Sequence, residues 1–110
     1  MKIYINGEVI FEHDSSKELE PEKISFIDKM DLDMNNGIRV NGKLIKNPDE
    51  KQRGTFVGMS LIKGLLQDNG AVIASSWAYL SHRYPRLSEI RANDADNSIS
   101  IELINEAVKD

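Results

Sequence analysis

Apolar and polar residues alternate along two short stretches in the first half of the chain. Each stretch is interrupted by an Asn-Gly pair, the first at Asn6-Gly7 and the second at Asn41-Gly42. Such a pair suits a type I′ turn, because both central residues of that turn have positive φ. The pattern therefore predicts two β-hairpins, one within residues 2–12 and one over residues 38–45.

Beyond Thr55 the apolar spacing changes from two to about 3.6, the period of an α-helix. Val57, Leu61 and Leu65 form one apolar row and predict a core helix over residues 55–68. The preceding segment resembles a helix entry, with Asn47 as N-cap and Pro48 at the first helical position. Asn69-Gly70 is suited to a C-cap, and a second helix is predicted from Ala74 until Pro85.

The remaining segments carry weaker patterns. Residues 23–27 have β character, residues 31–37 are rich in turn-forming types, and residues 86–91 are compatible with a further turn of helix. Residues 98–108 alternate at first and then show helical spacing. This segment is compatible with a strand or a terminal helix, and we favour the helix, because Asn97 or Ser98 can cap it.

Together these elements predict an α+β fold, with a small N-terminal antiparallel sheet of hairpins followed by a helical, winged-helix-like part. The chain of 110 residues has the length of one domain. Within it, residues 1–46 are expected to be β-rich and residues 47–110 mainly helical.

Composition limits the possible environments. The chain has no cysteine, which excludes a disulfide framework and a thiolate metal site. It contains no run of 18 apolar residues, so no membrane span is expected. The apolar start of the chain is broken at Asn6-Gly7, too early for a signal peptide. A cytoplasmic location is the expectation.

No residue pattern predicts an enzyme, a cofactor or a metal ion. His13 and His82 have no partner at helical spacing, and the acidic run that starts at Asp31 lacks the glycine and glutamate of a calcium loop. Gly54 and Gly58 are not followed by the Gly-Lys-Ser/Thr of a phosphate loop. We interpret these two glycines as a place of close packing.

The charge is unevenly distributed. Residues 1–50 hold 11 acidic and 7 basic residues, whereas residues 51–110 hold 7 of each. The second half contains one arginine cluster, formed by Arg83, Arg86 and Arg91. Arginine side chains match phosphate oxygens, so this cluster is the candidate for nucleic-acid contact. Helix-terminal cations in solvent are the simpler interpretation of the same residues.

A longer pattern resembles the winged-helix DNA-binding domain of OmpR/PhoB/ToxR-type regulators. It comprises the leucines 61, 65 and 66, Gly70, the step Val72-Ile73, and the run Ser98-Ile99-Ser100-Ile101. The opening residues 1–19 are also similar to the strand opening of ToxR-like regulators. In that family the segment corresponding to residues 98–108 is the recognition helix, which usually carries arginines. Here Glu102 and Glu106 lie within it.

The resemblance implies a small regulator that binds duplex DNA. In such a domain the arginine cluster would contact phosphates, and polar residues of the last segment would lie near the groove. The candidates are Arg83, Arg86, Arg91, Asn97, Ser98, Ser100, Asn105 and Lys109.

A different function fits the same composition. Small acidic chains without cysteine or a catalytic pattern include inhibitors of other macromolecules, such as immunity proteins and phage-type inhibitors. Their acidic surface covers a basic cleft on the partner, and the opposite charges speed association. The candidate residues for binding a basic protein are Glu18, Glu20, Glu22, Asp28, Asp31 and Asp33.

Overall fold

A computed structural model describes residues 2–12, 21–40, 42–95 and 98–105. The chain is a mixed α+β fold in which an N-terminal strand pair is followed by helices. The elements within these ranges are β1 (Lys2–Ile5), β2 (Glu8–Glu12), α1 (Pro21–Asn35), β3 (Ile38–Val40), β4 (Lys43–Ile45), α2 (Glu50–Leu66), α3 (Gly70–Arg83), β5 (Leu87–Ala95) and β6 (Ser98–Asn105).

Four strands form one sheet, in the order β2-β1-β5-β6. The predicted hairpin β1–β2 is confirmed, with Asn6 at φ 51° and Gly7 at φ 85°. The neighbour of β1 on its other side is β5, which runs parallel to it, and β5 pairs with β6 as a long antiparallel hairpin. The first hairpin is therefore completed by strands from the other end of the described chain.

The second predicted hairpin is also confirmed, as the separate two-stranded sheet β3–β4. Its turn includes Gly42 at φ 79°, a backbone conformation that only glycine adopts without strain. Asn41 lies outside the described residues. The two hairpins thus belong to different sheets.

The core lies between the helices and one face of the four-stranded sheet. Ile3 on β1 and Ile90 on β5 are fully buried, as are Leu61 on α2 and Leu80 on α3. All four belong to one hydrophobic cluster. The apolar row predicted for the core helix is confirmed at Leu61.

Two of the glycines of α2, Gly54 and Gly58, bring the helix close to strand β6. A Cβ atom on Gly58 would lie 2.7 Å from Ile101 Cδ1, and one on Gly54 would lie 3.0 Å from the Tyr84 ring and 3.1 Å from Leu103 Cδ1. The interpretation of Gly54 and Gly58 as a close-packing site is confirmed, and α2 continues through both of them.

The helix boundaries differ from the predicted ones. The N-cap of α2 is Asp49, which forms a capping box with Gln52, whereas Asn47 has a positive φ of 49° before the helix. Asn69 is the N-cap of α3 rather than a C-cap of α2, since its side chain accepts a hydrogen bond from the Val72 backbone. The predicted N-cap of α2 was therefore placed two residues too early, and Asn69 was assigned to the wrong helix.

The β character predicted for residues 23–27 is wrong. The loop predicted for residues 31–37 is wrong as far as Asn35, the last residue of the helix. These residues form α1, which starts at Pro21, a residue type suited to the first helical turn. Ile27 and Met34 are seven residues apart on one face of this helix and are buried. Packing of that face overrides the local β preference.

The helix favoured for residues 98–108 is wrong where the structure describes it, because residues 98–105 form strand β6. The turn of helix considered for residues 86–91 is also wrong, since β5 begins at Leu87. The two strands pair from Ala95 and Ser98 to Leu87 and Asn105, with one register shift between Leu87 and Glu89. The alternating spacing at the start of residues 98–108, rather than the helical spacing that follows, therefore matches the structure.

Candidate functional site

The four-stranded sheet has a second face, which no described helix covers. Because side chains alternate along a strand, the neighbours of the buried residues on β1, β5 and β6 point to this side. We call it the open face. Its half-buried or exposed members on these strands are Lys2, Tyr4, Glu89, Arg91, Asn93, Ser100, Glu102 and Ile104.

Arg91 lies at the centre of the open face. It is paired with Tyr4 on one side and with Glu102 on the other. Its guanidinium carbon lies 5.0 Å from the centre of the Tyr4 ring, within cation–π range, and its Nε donates a hydrogen bond to Glu89 Oε2 at 3.1 Å. The Arg91 side chain is still 56% exposed. It is held in place and available to a ligand.

A depression of about 470 Å³ lies next to this arginine. Polar groups of Asn93, Ser100 and Glu102 border it together with Tyr4 and Arg91. The arrangement offers an aromatic ring, one cation, one carboxylate, an amide and a hydroxyl within one concave surface. These groups suit hydrogen bonding and stacking with another molecule.

A second polar group of residues lies at α1 and is centred on Asp31. Asp31 Oδ1 accepts a hydrogen bond from Tyr79 Oη at 2.5 Å and forms an ion pair with Arg53 Nη1 at 3.1 Å. Asp31 Oδ2 accepts from Arg83 Nε at 3.0 Å. Arg83 also pairs with Asp28. We call these five residues the Asp31 cluster.

Burial and charge alter the ionisation of this region. Burial, followed by the hydrogen bond to Asp31, holds the pKa of Tyr79 well above its usual value. Burial, with the nearby Glu50 charge, raises the pKa of Tyr84 to about 12. Burial alone would lower the pKa of Arg83, but the hydrogen bond and the charges of Asp28 and Asp31 raise it. The tyrosines stay neutral and the arginine stays charged at neutral pH.

The Asp31 cluster fastens α1 to the other two helices. Arg53 extends from α2 and also donates to the backbone carbonyl of Asp31 at 3.0 Å, while Tyr79 and Arg83 extend from α3. Within this cluster the arginine charges face carboxylates of α1. The cluster therefore serves attachment of the helix and leaves little unbalanced charge for a ligand.

A groove of about 590 Å³ lies between the start of α2 and the outer strand β6. Its helix side includes Lys51 and Thr55, and its strand side includes Ile101, Leu103 and Asn105. It lies beside the edge of the sheet rather than on the open face.

The structure separates the three arginines predicted to contact phosphates. Arg83 belongs to the Asp31 cluster, Arg86 is exposed in the turn before β5, and Arg91 lies on the open face. Among the other candidates for DNA contact, Ser98 begins β6, Ser100 lies on the open face beside Arg91, and Asn105 borders the groove. Asn97 and Lys109 lie outside the described residues.

The six acidic candidates also have different surroundings. Asp28 and Asp31 are paired with arginines, and Asp33 is exposed on α1. Glu22 lies in the first turn of α1. Glu18 and Glu20 lie outside the described residues. Two of the three carboxylates whose side chains are described are thus already compensated within the chain.

Sequence reasoning missed Tyr4, Glu89 and Glu102 as partners of Arg91. The alternation around the Asn6-Gly7 turn could have placed Tyr4 on a solvent face. No local signal could have brought it to Arg91, because β1 and β5 pair across more than eighty residues of sequence. Arg53 and Tyr79 were missed as partners of Asp31 for the same reason.

Among the described residues, no group of three or more histidine and acidic side chains is arranged to hold a metal ion. None of the helices in the described ranges has the length and apolar character required to cross a membrane. Comparisons of the chain with protein-family models, with curated proteins and with solved structures found no match.

Proposed function

We propose that this protein works by binding another protein, and that the open face is the binding surface. The observation that carries the proposal is the exposed Arg91 side chain, which contacts the Tyr4 ring and Glu89 at the centre of a sheet face that no described helix covers. Tyrosine and arginine dominate the binding energy of many protein interfaces, and preordering lowers the entropy cost of binding.

The charge balance of the open face supports a protein partner. Lys2 and Arg91 contribute positive charge, and Glu89 and Glu102 contribute negative charge on the same surface. A phosphate backbone gains affinity mainly from several unopposed cations. A protein surface offers mixed charges and apolar groups, which match Tyr4 and the half-exposed Val9 opposite it on β2.

Two features weigh against reading of duplex DNA. The segment expected to be a recognition helix is strand β6, and Arg83 is compensated by Asp28 and Asp31. The winged-helix resemblance and the DNA contacts that it implies stay predictions. So does the inhibitor form of protein binding, in which an acidic surface covers a basic partner.

The proposal is tested by retention of partners from an extract of the native cells. The immobilised wild-type chain is compared with Arg91→Ala, which removes the centre of the open face, and with Arg86→Ala as the matched control. Both arginines are exposed, and each substitution removes one positive charge. We expect a protein that is retained by the wild type and by Arg86→Ala, and at least tenfold less by Arg91→Ala.

Equal retention of the same proteins by all three chains would show that the open face is not the binding surface. Retention of nucleic acid instead of protein, with loss in both arginine variants, would contradict protein binding. Far-ultraviolet circular dichroism of the three chains establishes that each variant is folded.

A further inference from the structure

Strand β6 is the last strand of the described four-stranded sheet and forms its edge. Within the described residues it pairs with β5 alone, so its outer backbone N–H and C=O groups have no described partner. Natural edge strands are usually short, or carry proline, lysine or a bulge on the exposed strand, which prevents pairing with other chains. The eight residues of β6, Ser-Ile-Ser-Ile-Glu-Leu-Ile-Asn, include neither proline nor a basic residue.

The residues of β6 are complementary to a second copy of the same strand in one antiparallel register. With Ile101 opposite its own copy, Ile99 lies opposite Leu103 on the helix side of the sheet. On the open-face side, Ser100 then lies opposite Glu102. Ile99, Ile101 and Leu103 meet apolar residues on the helix side, and no like charges are opposed.

Two neighbouring registers also keep the helix side of one strand beside the helix side of the other, but they oppose less favourable residue pairs. A shift in one direction places Glu102 opposite Glu102, which is unfavourable for like charges. A shift in the other direction places Leu103 opposite position 97, an asparagine in the sequence. Registers shifted by one residue would bring the helix side of one strand next to the open-face side of the other, so that one apolar face would point towards solvent.

We propose that two copies of this chain associate through β6, with Ile101 at the two-fold axis, and so form one eight-stranded sheet. The groove between α2 and β6 lies on the helix side of this junction. The two open faces become one continuous surface that carries Arg91 twice. Such a two-fold arrangement is the commonest form of homo-oligomer.

The register is tested by disulfide formation, because the natural chain has no cysteine. Two single variants are prepared, Ser100→Cys and Glu102→Cys, both at exposed positions. In the proposed register these positions lie opposite each other, at a Cα separation of about 4.5–5.5 Å that a disulfide spans. Like positions of the two copies are diagonal neighbours about 7–8 Å apart, beyond the usual range.

We expect a 1:1 mixture of the two variants to form a cross-linked dimer in a glutathione redox buffer, at least fivefold more than either variant alone. The control is Asn93→Cys, which is exposed on β5, one strand inside the edge. Sedimentation equilibrium of the unmodified chain is expected to give twice its mass of 12.4 kDa.

A monomer mass for the unmodified chain at about 100 µM would overturn the proposal, because this concentration is ten times a dimer dissociation constant of about 10 µM. Cross-linking of the mixture no greater than that of Asn93→Cys would also overturn it. Efficient cross-linking of either β6 variant alone would overturn the register. If the chain is monomeric and still retains a different protein, the dimer proposal is wrong and the proposed binding at the open face stands.

Discussion

Asp31 shows how one side chain acquires a role that its position in the sequence does not indicate. In the sequence it belongs to an acidic stretch and is a candidate for contact with a basic partner. In the structure both of its carboxylate oxygens are occupied, by Tyr79 and Arg53 on one side and by Arg83 on the other. Of the candidate residues, Arg83 therefore compensates Asp28 and Asp31 within the chain.

Replacement of Tyr79 by phenylalanine tests the Asp31 cluster. Tyr79 is 1% exposed and donates its hydroxyl to a carboxylate, a type of hydrogen bond that contributes about 1.5–3 kcal/mol. We expect Tyr79→Phe to lower the free energy of unfolding by about that amount in urea denaturation at pH 7. A loss under about 0.5 kcal/mol, the range of surface substitutions, would show that the hydrogen bond does not stabilise the fold.

The same variant has a defined pH signature. The pKa of Tyr79 is raised by folding, so the unfolded chain releases this proton near pH 10 while the folded chain keeps it. The stability that depends on the neutral hydroxyl is complete below pH 10 and declines as the pH rises further. We expect the stability difference between wild type and Tyr79→Phe to be constant from pH 7 to 9 and to shrink above pH 10.

At the scale of elements, local turn chemistry was predictable and the pairing of distant segments was not. The Asn-Gly turns and the apolar row of α2 depend on neighbouring residues, and both are confirmed. Strand β6 was assigned the wrong type because its segment carries both periodicities. Helix α1 was missed because its segment contains residues with β character and turn-forming residues. In both segments the choice is made by contacts with β5 or with the core. The partners of Arg91 and Asp31 follow from those same contacts.

The second hairpin offers a direct test at this scale. Gly42 has a φ of +79° with no atom near the position of a Cβ, so any cost of substitution comes from backbone strain alone. We expect Gly42→Val to reduce stability by about 1–3 kcal/mol. Gly70→Ala is the control, because that position is equally open and has no positive φ. Equal melting temperatures for Gly42→Val and the wild type would contradict the turn.

Helix α2 provides a comparison of buried and exposed leucines. Leu61 is fully buried, whereas Leu66 at the end of the same helix is 52% exposed. Truncation of a buried leucine leaves a cavity and costs about 2–5 kcal/mol. We expect Leu61→Ala to lose that amount and Leu66→Ala less than about 1 kcal/mol, measured by chemical denaturation. Similar losses of stability for the two variants would contradict the location of α2 at the centre of the core.

At the scale of the whole molecule, the residues that stabilise the fold and the residues proposed to bind a partner lie on opposite faces of the four-stranded sheet. Helices cover one face of the four-stranded sheet, and the Asp31 cluster joins α1 to α2 and α3. The other face presents the exposed Arg91 side chain against the half-buried Tyr4 ring. The charge of that face is balanced, which is the reason that a protein, rather than a phosphate backbone, is the partner that we propose.

The most direct test of this claim is a gel shift with duplex DNA at about 10 mM ionic strength, where the Debye length is about 30 Å and electrostatic binding is strongest. Non-specific DNA binders have dissociation constants of about 1–100 µM even at physiological salt. We expect no retardation of the duplex by the wild-type chain at ~100 µM. Retardation by the wild type that is lost in the double variant Arg86→Ala/Arg91→Ala would contradict the account and restore DNA as the ligand.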